Sequence, residues 1–255
     1  RIGSSRRVKG KMQTPVPVMI VTVVDVVTLT LSNKLPFVAG NTAIVYPGCQ
    51  ATSTGGVAGI LTQEAINGGK VTYNFKAVNP GTYAYYSGTQ PEMQIEMGMS
   101  GAIIVRPNGA SLGAAKCAPR KIGSGNSYSL SIAAYAHPDS CYDREYLFQF
   151  SELTSRIHDE VKAQVETSNC TVAGSCPQIL ATMEPYRPNY FMVNGRSMPD
   201  NMDVAYAPGY PNQPYNGNPH MHPGENVLMR VIGQGHWQHP FHFHGNHARV
   251  LARDA

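Results

Sequence analysis

No stretch of the 255 residues comes near the roughly 20 consecutive apolar positions that a membrane-crossing helix needs. Charge is equally sparse. Asp, Glu, Lys and Arg make up 14% of the chain and the net charge is +4, too small and too dispersed to point to nucleic acid. The one dense basic stretch is terminal (Arg1, Arg6, Arg7, Lys9, Lys11) and reads as a solvated tail. The apolar run that follows, Val16 to Val24, has no small-residue cleavage site. It continues through Asp25 into the alternating Thr28-Leu29-Thr30-Leu31, so it reads as a strand rather than a signal peptide. The sequence contains no phosphate-binding loop, no G-x-S-x-G elbow and no carboxylate pair suited to acid–base work.

The five cysteines form no C-x-x-C pair. Cys170 and Cys176 are spaced to close a small loop and Cys117 with Cys141 a longer one. Such disulfides imply an oxidising compartment, extracellular, periplasmic or at the cell surface, and leave one thiol over. Asn169-Cys170-Thr171 fits a glycosylation sequon.

Glycine (25) and proline (19) are plentiful, and with so little charge this favours an all-β protein with many turns. Strands are expected over 16–31, at Val71 to Phe75, Thr82 to Tyr86, Ala102 to Val105, Tyr142 to Phe150, from Tyr190, at Val227 to Ile232 and at Ala248 to Leu251. Leu153, Ile157, Val161 and Val165 recur every four residues, which predicts one helix over 151–167 with Ser151 as its N-cap. Residues 108–139 are rich in Gly, Ser, Ala and Pro. The expected organisation is therefore a first domain at 1–112, a linker at 113–139 and a second domain at 140–255. Too few strands follow Tyr142 to close a sandwich of about 100 residues, so the native protein is expected to continue past Ala255.

Seven of the nine histidines fall between His220 and His247. A metal site needs several imidazoles converging on one point, and His239, His242 and His244 are the leading candidates. His236, His247, His220 and His222 are weaker ones. On a strand His242 and His244 would share a face, roughly 7 Å apart. A polar loop with chance histidines is the bland alternative, and Pro, Phe and Trp between the histidines argue against a tag. Met93, Met97 and Met99 beside Ile95 read as strand core filler rather than a soft Cu(I) site. Isolated His137 and His158 are given no role, His158 being placed on the solvated side of the helix. Asp200 and Asp203, near Met202, fit acidic metal contacts or, equally well, a turn.

His239-Pro240-Phe241-His242-Phe243-His244-Gly245 resembles the H-P-x-H-x-H-G motif of multicopper oxidases. Val227 to Ile232 resembles the strand before that motif, and Tyr190 to Arg196 the opening of a later cupredoxin domain. Gly81-Thr82-Tyr83-Ala84-Tyr85-Tyr86-Ser87-Gly88 resembles the family's G-T-Y-W-Y-H-S-H, and Met97 to Val105 the strand that closes the domain. The resemblance implies tandem cupredoxin-like Greek-key β-sandwiches, the second incomplete, with one inserted helix. It implies copper as cofactor, with His239 on a mononuclear centre and His242 and His244 on the cluster that reduces dioxygen. The first domain departs from the pattern. The two histidines of H-S-H fall on Tyr86 and Gly88, and the earlier H-W-H falls on Val45-Tyr46-Pro47. No cysteine has a histidine neighbour, so no H-C-H exists. Large bacterial multicopper-oxidase-like proteins with a degenerate first domain are the nearest subgroup.

The expectation is a copper-dependent oxidoreductase at full length, passing electrons from a small-molecule or metal-ion reductant to dioxygen. An oligomer or partner domain would complete its copper site. The alternatives are a non-catalytic metal-binding or electron-transfer cupredoxin, and a structural extracellular one.

Overall fold

The computed structural model describes residues 14–109, 117, 120–122, 126–128, 132–172, 175–211, 213 and 215–253. The terminal basic stretch and parts of the expected linker lie outside them. The strands are β1 Met19–Thr22, β2 Val26–Ser32, β3 Thr52–Thr54, β4 Val57–Ala58, β5 Gln63–Glu64, β6 Lys70–Lys76 and β7 Gly81–Tyr86. Helix α1 Pro91–Glu96 and β8 Ser100–Arg106 follow, then β9 Arg120–Ile122, β10 Asn126–Tyr128, β11 Ile132–Ala133, β12 Cys141–Tyr142 and β13 Arg144–Leu153. Helix α2 Ser155–Thr167, β14 Tyr190–Val193 and β15 Val227–Gly233 complete the set.

The first unit is two three-stranded sheets, β1-β8-β7 and β2-β6-β3. Period-2 alternation builds its core: Val71, Tyr73 and Phe75 of β6 and Tyr83 and Tyr85 of β7 point inward with Ile103 and Val105 of β8. The strand expected over 16–31 is two strands in different sheets. The Asp25 carboxylate accepts the Thr22 N–H at 2.8 Å, which makes a turn at 23–25. The methionine segment is helical, not a strand: Met93 is buried on α1 and Met97 is its C-cap.

The main described sheet of the second unit is β14-β13-β15, with β15 parallel to β13. Helix α2 starts four residues later than expected, with Thr154 as N-cap, because Ser151 is still a strand residue paired with Met192. Its stripe is the expected one: Ile157 and Val161 are buried with Val165 against them. They pack on Val38 and Met93 of the first unit, so the helix joins the two. Both expected disulfides are present, Cys117–Cys141 and Cys170–Cys176, and Cys49 is the free thiol, packed against the first core. Among the described residues no helix is long and apolar enough to cross a membrane.

β13 organises the second unit by its two faces. Odd-numbered residues face the first unit. Glu145 pairs with Arg106 of β8 and with Arg230 of β15 at 3.1 Å, and Arg230 also donates to Thr82 of β7 at 2.8 Å. Even-numbered residues hold the histidine-bearing segments. Tyr146 is hydrogen-bonded to the backbone of His220, and Arg144 pairs with Glu225 at 2.6 Å while reaching His222 Nδ1 at 3.1 Å.

Two outcomes follow from these anchors. Glu145→Ala leaves Arg106 and Arg230 without their shared carboxylate. Arg230 is buried while Glu145 and Arg106 are part-exposed, so the cost is on the order of 2 kcal/mol, and the variant's urea midpoint falls accordingly. The Glu225 carboxyl is held down to about 2, first by the hydrogen bond from Arg144 and then by the His222 N–H. Since the folded value is depressed, this anchor is complete above the ordinary value near 4.5 and is lost as pH falls from there through about 2. The protection factor of the His222 amide, its exchange relative to the intrinsic rate at each pH, falls across that window in the wild type and is already low, with no such step, in Glu225→Gln.

Candidate metal centre

The histidine-rich ribbon after β15 is tied down by one carboxylate. Glu152, on the even face of β13, is 3% exposed, and a buried carboxylate must be matched by donors. It is matched three times. The backbone N–H groups of His236 and Trp237 both donate to Oε1, the latter at 2.7 Å, and His239 Nε2 lies 2.6 Å from Oε2. The ribbon passes so close that a Cβ on Gly235 would run into the carboxylate. Gln234 fixes the entry, its N–H bonded to Phe150 O at 3.0 Å and its side chain to Gly101 O of the first unit at 2.9 Å.

His239 is also held by rings. Phe150 stacks on it at 5.8 Å and 20° between planes, and Phe191 meets it edge-on at 6.5 Å. Phe241 packs on Phe148 and Phe150, and Phe243 on Phe241. Because Nε2 is engaged by Glu152, Nδ1 is the nitrogen of His239 left for a metal. His242 and His244 are exposed, with ring centroids 4.7 Å apart and planes at 86°.

The ribbon is not a strand. After Gly233 the described residues contain no further strand, because its first amides are satisfied by the Glu152 side chain instead of a neighbouring strand. The shared strand face and 7 Å spacing expected for His242 and His244 therefore do not hold; their rings approach more closely. Ala248 to Leu251 is likewise irregular, and Val250 is exposed.

The weaker candidates are dispersed. His236 packs on Tyr186 at 4.5 Å, whose hydroxyl donates to Glu96 at 2.7 Å; burial, then that bond, pushes the Tyr186 hydroxyl up. His220 and His247 are exposed, and His222 sits beside the Arg144 guanidinium, an unfavourable neighbour for a cation. His158 is not on a solvated side: its Nε2 is 3.1 Å from Glu96 O and 3.6 Å from the Glu96 carboxylate. Among the described residues no three His, Cys, Asp or Glu side chains converge on one point.

In the first unit, the two segments aligned with the family's paired histidines are neighbours. Val45 and Tyr86 pair their backbones at 2.9 Å, and a Cβ on Gly88 would meet Val45. Tyr46 packs there on Tyr73, Phe75 and Tyr85. None of the positions where the pattern calls for imidazoles carries one: Val45 and Tyr86 are half-buried, Pro47 is exposed, and Gly88 has no side chain. Sequence reasoning overlooked Glu152. The available signal was an acidic residue on the same strand face as the aromatic Tyr146, Phe148 and Phe150.

The sequence profile of the multicopper oxidase family matches residues 6–110. No curated protein matches. Among solved structures, the blue copper oxidase of Nitrosomonas europaea is similar at 17% identity and a TM-score of 0.50, over 88% of this chain and 52% of that one. The copper nitrite reductase of the same organism is 19% identical with a TM-score of 0.49, over 87% and 57%. The chain thus spans about half the length of these structures. Its fold is that of tandem cupredoxin domains, and residues 6–110 are similar in sequence to the multicopper oxidase family.

Proposed function

We propose that this chain contributes part of the copper centre of a multicopper-oxidase-type oxidoreductase whose remaining ligands come from another segment or another chain. The observation that carries the reading is the ribbon itself. A family-like histidine motif is fixed at its base by Glu152 and presents two imidazoles outward at 4.7 Å.

The donor set fits copper in part. Two exposed imidazoles suit a cupric ion, and open positions remain for further ligands. A blue mononuclear site does not fit the described residues alone: it needs a thiolate beside His239, and the free thiol, Cys49, is packed on the first unit's core. Bound copper would supply one-electron transfer and, in a cluster, the reduction of dioxygen. The chain's own residues do the positioning. Glu152 accepts the Nε2 proton of His239 and so directs Nδ1 to a metal. Phe150 and Phe191 restrict the ring, and the exposed pair is left free to meet a facing ligand set. A small-molecule or metal-ion reductant and dioxygen are the substrates this reading implies, and the two disulfides suit an extracytoplasmic setting.

A second reading, a metal-binding cupredoxin without oxidase chemistry, is favoured by the absence of histidine at Val45, Pro47, Tyr86 and Gly88.

Copper titration of the chain with EPR tests the proposal. One ordinary, wide-hyperfine cupric signal with nitrogen couplings is expected, at least tenfold weaker in affinity in the double variant His242→Ala/His244→Ala. Equal binding by that variant overturns the role of the pair. Adding the completing segment or chain is expected to generate the narrow-hyperfine blue signal and oxygen consumption. Copper bound without either favours the second reading.

A further inference from the structure

Between the two units lies a cavity of about 60 Å³, distinct from the histidine ribbon's exposed tip. Its floor is the odd face of β13, Gln149, Ser151 and Leu153, with Met192 of β14 beside them. Its roof is the first unit's Ile95 to Gly98 and Ser100. Gln149 is 2% exposed and its backbone is fully engaged: its N–H donates to Asn194 Oδ1 at 2.9 Å and its C=O accepts the Asn194 N–H at 2.9 Å. Its side-chain amide, however, has no protein partner on either Nε2 or Oε1. A buried amide with both ends unmatched is costly, and native structures supply the missing partners.

We propose that this cavity is a binding site for small neutral hydrogen-bonding molecules, held in the resting protein by about two ordered waters centred on Gln149. The volume sets the number, at roughly 30 Å³ per water. Charge sets the class. The cavity is bordered by Glu96 and Glu152, whose carboxylates oppose an anion, and by His158 and His236, of which His158 already turns its Nε2 to Glu96. Both carboxylates are already matched by donors: Thr154 N–H and Tyr186 hydroxyl on Glu96, and the two amides and His239 on Glu152. A cation would have to displace them. An apolar occupant would leave Gln149 unmatched. What remains is a molecule that both donates and accepts, and Ser100 and Ser151 offer it further partners across the seam between the units. This inference stands independently of the copper reading.

Water-to-protein NOE spectroscopy on the metal-free full chain tests it, paired with Gln149→Met, which keeps the length and removes both polar atoms. Direct NOEs from long-lived water to the Gln149 side-chain amide protons are expected. The variant is expected to lose them and to melt at a lower temperature, since it strips the waters of their central partner. A dry cavity predicts the reverse: no water NOE in the wild type, and a variant that melts higher because an unmatched amide has been removed. Either of those results overturns the proposal, and the wild-type NOE decides the matter even where the variant fails to fold.

Discussion

A strand that is polar on both faces governs how this molecule is assembled. β13 runs ten residues, and its alternation divides the work between docking and presentation. On the odd face, Glu145 engages Arg106 and Arg230 and fixes the second unit on the first. On the even face, Arg144, Tyr146 and Glu152 each reach out to a histidine-bearing segment, while Phe148 and Phe150 supply the aromatic bed beneath the ribbon. A one-residue slip in register would exchange the two faces. It would bring the ribbon's anchor against the first unit and send Glu145 into the aromatic cluster. Both the junction and the histidine ribbon therefore depend on one pairing register, Arg144 to Phe150 against Val227 to Gly233.

The two units carry this family's pattern unequally. In the first, the scaffold is intact and the ligand positions hold no imidazole: Val45 is bridged to Tyr86 through the backbone, and the adjoining Tyr46 is one of a group of four packed aromatic rings. Such packing favours stability and leaves no imidazole to bind a metal there. In the second, the histidines survive on an irregular ribbon that has little regular structure of its own, and a buried carboxylate takes the place of a strand partner. The asymmetry supports a division of labour, with the first unit as a platform and the second as the presenting element.

Much of this was legible in the sequence. Period-2 alternation at Val71 to Phe75 and Gly81 to Tyr86, the four-residue stripe of the helix, and both cysteine pairings all correspond to what the chain forms. The errors have physical causes. The strand expected over 16–31 breaks because Asp25 caps a backbone N–H three residues back, an interaction invisible to hydrophobic pattern. The helix starts at Ser155 because β13 continues through Ser151, where pairing with Met192 outweighs capping propensity. The methionines near Ile95 form a short helix behind Pro91, at N1, and their burial rather than their periodicity was the readable part. The ribbon does not take the strand geometry that would put His242 and His244 on one face, although alternating His and Phe mimic a pleat. Its true support, Glu152, lies more than eighty residues away in sequence, and no local pattern marks a contact of that range.

The central claim is that Glu152 orients His239, and long-range 1H–15N NMR of the imidazole in the metal-free chain tests it most directly. The account predicts a proton on Nε2, shifted by its carboxylate partner, and a ring held in one orientation; Glu152→Gln should alter both. A ring protonated on Nδ1 alone, or one whose signals do not respond to that substitution, would contradict it.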